Sequence, residues 1–165
     1  MILLALGGAG GVWDELEEAR SIYPDADVGA VNEAGRDYTG TLTAWATLHV
    51  DKFHPWQRHR EQKGLNTDYI AVSNKGHPLP RVDRVERELW SGTSGLYLCQ
   101  VAILTLGYDL VICCGMPLTD TPHYFDSGKW WAAPNYRRGW KEAVNHIGPK
   151  IRSMSGWTRD LVGHP

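Results

Sequence analysis

The sequence predicts an α/β fold in which a mostly parallel sheet is flanked by helices, and three observations predict it. Short apolar runs, Ile2–Leu6 and Asp109–Cys114 above all, are continuous, as in strands buried on both faces. The runs end in glycine or a polar residue, at Gly7, Asn32 and Gly115. Stretches with helical spacing or helix-start signals follow them, as crossovers between parallel strands require. No internal repeat or low-complexity linker interrupts the 165 residues, so a single Rossmann-like domain spanning 1–165 is expected. It is large enough to bury a core without disulfide or metal staples.

Taken in order, Ile2–Leu6 reads as the first strand. It runs into Gly7-Gly8-Ala9-Gly10-Gly11 and then a helix with Asp14 and Glu15 in its first turn. The glycine loop lacks the Gly-Lys-Ser/Thr ending of a Walker loop and the spacing of the dinucleotide fingerprint. The two acids suit the helix dipole but would repel a phosphate, so any phosphate contact is expected elsewhere, leaving this loop to a base or ribose. Asp27–Asn32 reads as the second strand, with Asn32 at the end where open α/β sheets place ligands; turn capping would account for it equally. Thr43–Val50 reads as a third strand, with His49 and Asp51 at its end and His54 beyond. Pro55–Lys63 is a charged helical stretch read as a solvated face. Asp68–Ser73 is a further strand, and Asn74–Val85, with Gly76, Pro78 and Pro80, is a surface loop that could help cover a site.

Trp90–Pro117 is the segment around which the rest is organised. Ser91-Gly92-Thr93-Ser94-Gly95 offers an N-cap hydroxyl, and Leu96, Leu98, Val101, Ala102 and Leu106 recur at roughly helical spacing until Gly107 stops the helix. Such a loop presents unpaired N–H groups at the positive end of a helix dipole and suits an anion such as phosphate; an ordinary capped helix has the same spacing. Asp109–Cys114 then forms a buried strand. Met116–Gly128 is a polar loop, Lys129–Ile147 an amphipathic basic-aromatic helix after Pro134, and Lys150–Val162 a helical or irregular tail.

Composition excludes several classes. A formal net charge of −2 argues against general nucleic-acid binding. No apolar run approaches membrane-spanning length. The start MILLALGGAGG lacks a basic n-region, so a signal peptide is not expected and a cytoplasmic location is. Cys99, Cys113 and Cys114 read as reduced core residues, the last two facing opposite sides of one strand. The eight tryptophans are read chiefly as core, with stacking on a base or sugar as the alternative.

Three stretches together resemble a known group. The glycine loop with its Trp-Asp-Glu-Leu, the Asp-Val-Gly-Ala-Val-Asn strand, and Ser91–Gly95 with the helix and Gly-Tyr-Asp-Leu-Val-Ile-Cys-Cys-Gly-Met are similar to the nucleotide-binding core of bacterial CMP-sialic-acid-dependent sialyltransferases. MptE-like pterin diphosphokinase domains share the layout more distantly. The resemblance covers about the first 120 residues. It implies a Rossmann-like sheet on which Gly8, Gly10, Asn32, Thr93, Ser94 and Gly95 surround a cytidine monophosphate moiety. Tyrosines that hold the leaving phosphate and a histidine base lie beyond the matched strand in that family. Tyr124, Tyr136 and His123 are of the right types, with His49 a second base candidate and Arg137 and Arg138 suited to the phosphate. The first loop departs from the family, with Gly10-Gly11 in place of a Pro-Ser pair, and the chain leaves little room for a donor lid.

The expectation is therefore a protein that binds a nucleotide or nucleotide sugar and, if active, transfers a group from it to a hydroxyl in glycosyltransferase fashion. A non-catalytic nucleotide binder and a pterin-type diphosphokinase remain alternatives. No cofactor or metal is expected from the first two. His49, Asp51 and His54 lack a fourth ligand for zinc. The diphosphokinase alone would require a divalent cation, with Asp51, Asp120 and Asp126 to hold it. The sequence does not define an oligomeric state.

Overall fold

Alternation along each strand divides the apolar side chains of this chain into two cores, one on each face of a seven-stranded sheet. In β1 (Ile2–Leu6), Leu3 and Ala5 enter one core, whereas Leu4 and Leu6 enter the other. In β6 (Leu110–Cys114), Val111 and Cys113 share the first core, and Ile112 and Cys114 the second. The computed structural model describes residues 1–165. The remaining strands are β2 (Asp27–Val31), β3 (Ala44–Thr47), β4 (Ile70–Ser73), β5 (Arg84–Val85) and β7 (Ile151–Ser153). All pairings are parallel, in the order β5-β4-β3-β2-β1-β6-β7, so β1 lies between β2 and β6. The predicted Rossmann-like α/β architecture is the one observed.

One face carries α1 (Val12–Ile22), α2 (Asn32–Asp37) and α3 (Val50–Gln62); the other carries α4 (Ser94–Leu104), α5 (Ala133–Ile147) and α6 (Gly156–Val162). Helix α4 lies across β1, β2, β3 and β6, and every residue from Ser94 to Ile103 is buried. A helix covered on all sides needs no polar face, which is why its apolar residues crowd beyond a single stripe. The helix ends at Leu104, and Gly107 takes a left-handed φ of 80° as the chain turns into β6.

The structure departs from the sequence reading in four places. The third strand is only Ala44–Thr47, because His49 already caps α3. Helix α3 contains Pro55 and is not merely a solvated face: Phe53, Trp56 and Arg60, three and four residues apart, are buried. The Arg60 guanidinium donates to the carbonyls of Gly35, Tyr38, Gly40 and Asn66, which compensates its burial without a carboxylate. The loop at Asn74–Val85 ends in the exposed edge strand β5, and the tail contributes β7 beside β6. In agreement with the sequence reading, no helix is long and apolar enough to cross a membrane.

Candidate functional site

The strand order reverses between β1 and β6, and the carboxyl ends of β1, β2, β3 and β6 border a cleft of about 330 Å³. This is where open α/β sheets place ligands, since the loops of neighbouring strands diverge to opposite faces there. The volume lies at the small end of the range for small-molecule sites, roughly 300–1,000 Å³.

On one face the cleft ends at α4. Thr93 is extended and its Oγ1 accepts the N–H of Leu96 at 3.2 Å, capping the helix. The N–H groups of Ser94 and Gly95 have no acceptor within the protein, and both residues line the cleft. They therefore offer orphan donors and the positive end of an 11-residue helix dipole. A Cβ on Gly95 would lie 2.6 Å from Met116 Sδ, so glycine lets Met116 pack against the first turn. Ser94 Oγ accepts the N–H of Leu48 at 3.3 Å and ties α4 to the loop after β3.

Asn32 is held beside this helix end. It has a left-handed φ of 47°, which Asn tolerates better than most residues, and its carbonyl accepts the Trp45 indole N–H at 3.0 Å. Thr47 Oγ1 donates to Asn32 Oδ1 at 2.8 Å while accepting the His49 N–H at 2.9 Å. The Asn32 Nδ2 donors have no partner within the protein, and Asn32 lines the cleft.

The first glycine loop is engaged differently. Glu15 Oε2 accepts the Gly115 N–H at 2.6 Å, so a carboxylate stands at the start of α1, where it would repel a phosphate. Loop 121–125 lies over the glycines: Gly10 donates to Pro122 O, and Gly8 O accepts the Tyr124 N–H, each at 2.9 Å. A Cβ on Gly8 would stand 2.8 Å from His123 Cδ2. The close approaches at these glycines are thus made by the protein itself; Gly8 lines the cleft and Gly10 does not.

Aromatic side chains form the outer wall. His123 stacks on Phe125 with centroids 5.0 Å apart and meets Trp130 edge-on, and Trp130 stacks on Tyr136 at 5.8 Å. His49, the N-cap of α3, faces the same cleft. Of the residues expected from the sequence, Gly8, Asn32, His49, Thr93, Ser94, Gly95, His123 and Tyr136 come together here.

Tyr124, Arg137 and Arg138 do not. The Tyr124 hydroxyl donates to Asp37 at 2.7 Å and its ring packs edge-on against Trp13; burial, and then the hydrogen bond to Asp37, push its phenol well above the ordinary range. Arg137 donates to Leu118 O at 3.1 and 3.3 Å and lies over Trp157, fixing a residue of the cleft floor with a φ of 51°. Arg138 is exposed and pairs with Glu142 at 2.9 Å. The cation that does border the cleft is Lys52, in the first turn of α3, and the one carboxylate there is Glu33. Together with Phe125 these lie outside the sequence expectation, and the only available signal was their proximity to His49, Asn32 and His123 in the chain; Trp56 and Trp130 also line the cleft and belong to the tryptophans read chiefly as core, with stacking as the alternative.

No three His, Cys, Asp or Glu side chains gather to hold a metal: Asp51 is exposed on α3, Asp120 pairs with Lys129 at 3.2 Å, and Asp126 caps the Gly128 N–H at 3.0 Å. Comparison with known proteins leaves the geometry to speak alone, since no protein-family model, no curated protein and no solved structure matches the chain.

Proposed function

We propose that the protein binds a nucleotide or nucleotide sugar across this cleft and, as a glycosyltransferase-like enzyme, transfers the donor's group to a hydroxyl. The observation that carries the reading is the convergence of the unpartnered Ser94 and Gly95 N–H groups with the oriented Asn32 amide, beside two imidazoles. In such a reaction a neutral imidazole of His123 or His49 accepts the acceptor hydroxyl's proton. The oxygen bonds to the donor carbon, and the carbon–oxygen bond to phosphate breaks with its electron pair leaving on the nucleotide. In this reading the α4 amides stabilise that developing negative charge.

One observation favours a second reading, a nucleotide-binding protein without chemistry. Neither imidazole is hydrogen-bonded to a carboxylate, the arrangement that orients a catalytic histidine. Calorimetry with nucleoside mono- and diphosphates, followed by assays of nucleotide-sugar hydrolysis, separates the two. Saturable binding that weakens on the order of tenfold in a Thr93→Ala/Ser94→Ala variant is expected for both. Turnover lost in His123→Ala or His49→Ala supports the transferase, whereas binding with no turnover supports the binder. Absence of any nucleotide binding sinks both.

A further inference from the structure

The cleft straddles the carboxyl edge of the sheet, and its two ends differ in charge. On the α4 face it ends at the unpartnered amides of Ser94 and Gly95; on the opposite face it runs between α2 and α3, past Glu33, Lys52 and Trp56. Glu33 is half-buried, follows the end of β2 by two residues, and has no hydrogen-bond donor or cation bonded to its carboxylate. The nearby Arg36 is committed to Asp37 through two hydrogen bonds of 2.7 and 2.6 Å. Glu33 stands in the first turn of α2, and both its carboxylate oxygens remain free to accept hydrogen bonds from a ligand in the cleft.

We propose that Glu33 reads the ribose hydroxyls of the ligand, so that the site selects ribonucleotides over 2′-deoxyribonucleotides. The inference rests on the nucleotide reading above and adds the sugar to it. A carboxylate has two acceptor oxygens and can take one hydrogen bond from each hydroxyl of a vicinal diol. The 2′-hydroxyl is the group that distinguishes the two sugars. With the phosphate at α4 and the diol at Glu33, the ligand spans the sheet edge past Asn32, and Lys52 balances the carboxylate's charge.

Calorimetry with the four ribonucleoside 5′-monophosphates and their 2′-deoxy counterparts tests this. The wild-type protein is expected to bind the best ribonucleotide on the order of tenfold more tightly than its deoxy counterpart, the scale of a hydrogen bond to a charged group. Glu33→Ala should abolish that preference and Glu33→Gln reduce it, with ribonucleotide affinity falling further than deoxynucleotide affinity, because the deoxy form loses only the bond from its 3′-hydroxyl. Circular dichroism and the thermal midpoint of each variant show whether it is folded, and the wild-type comparison needs no variant at all. Equal wild-type affinity for ribose and deoxyribose forms, or a full preference surviving in folded Glu33→Ala, overturns the role of Glu33 while leaving nucleotide binding intact. If none of the eight monophosphates binds, the nucleotide reading itself fails and this inference with it.

Discussion

At the scale of single residues, the cleft depends on side chains whose hydrogen bonds are spoken for before any ligand arrives. Thr47 illustrates this: fully buried, it orients Asn32 and holds the His49 backbone with one hydroxyl. Asp37 does comparable work outside the cleft, where it joins α2 to the loop that carries His123. Burial raises its carboxyl, but the hydrogen bonds from Arg36 and Tyr124 outweigh burial and hold it below the usual carboxylate range. Because the folded value is the lower one, the contribution is complete above the unfolded carboxylate value of about 4 and is lost as pH falls from there through the folded value. Urea midpoints measured from pH 7 down to pH 3 should therefore fall at the acidic end, and the fall should be shallower in Asp37→Asn. What the sequence could not disclose at this scale was direction. Arg137 and Arg138 look equally suited to phosphate in one dimension, yet one turns back onto Leu118 and the other faces water.

At the scale of elements, the strands and helices with uniform signals were legible and the mixed ones were not. Ile2–Leu6 and Leu110–Cys114 are apolar without interruption, and α4 is apolar but for Ser94 and Gln100, because all three are surrounded by protein. By contrast β7 is three residues, Ile-Arg-Ser, and β5 is two exposed ones, too short for alternation to register. Helix α3 hid its buried stripe because one member is an arginine satisfied by backbone carbonyls, which charge patterning counts as solvent-facing. The contact between α5 and the loop before α4 was equally invisible, since only proximity explains Gly139. A Cβ there would lie 1.8 Å from Ser91 O. Glycine to alanine inside a helix ordinarily stabilises by up to about 1 kcal/mol. At Gly139 the clash reverses the sign, and chemical denaturation should show a loss of about 1–3 kcal/mol. Ligand affinity should fall as well, because the displaced Ser91-Gly92 leads directly into Thr93. Gly76→Ala, where nothing lies within 4 Å, is the matching control and should leave both unchanged.

At the scale of the whole molecule, two cores share one sheet, and the three free cysteines sample both. Cys99 and Cys113 approach within 3.5 Å in the first core, whereas Cys114 lies in the second. The hydrogen bond between Cys113 and Cys99, and then burial, push the Cys113 thiol up, and burial pushes Cys114 up too. Thiolates are the reactive species, so a disulfide reagent at pH 8 should modify none of the three in the native protein and all three once guanidinium unfolds it. Reaction of one thiol before the main transition would reveal that its core opens separately. The overall architecture was readable in the sequence because it follows from the repetition of apolar runs and crossovers. The cleft was readable only in part, because its outer wall and its Glu33–Lys52 end depend on which loops fold over which strands.

The central position of β1 has a consequence for how the chain reaches this state. Its partner on one side, β2, follows within about 25 residues, but its partner on the other, β6, pairs Leu6 with Cys114. During synthesis the apolar edge of Ile2–Leu6 therefore stays open until more than a hundred further residues have emerged, and so does the floor of the future cleft. Distant parallel pairing of this kind is slow to close and leaves an unpaired edge that other chains can capture. The geometry that puts the ligand site at the middle of the sheet thus makes it one of the last parts to be completed, and a ligand bound there would act on the fully assembled fold and on no earlier intermediate.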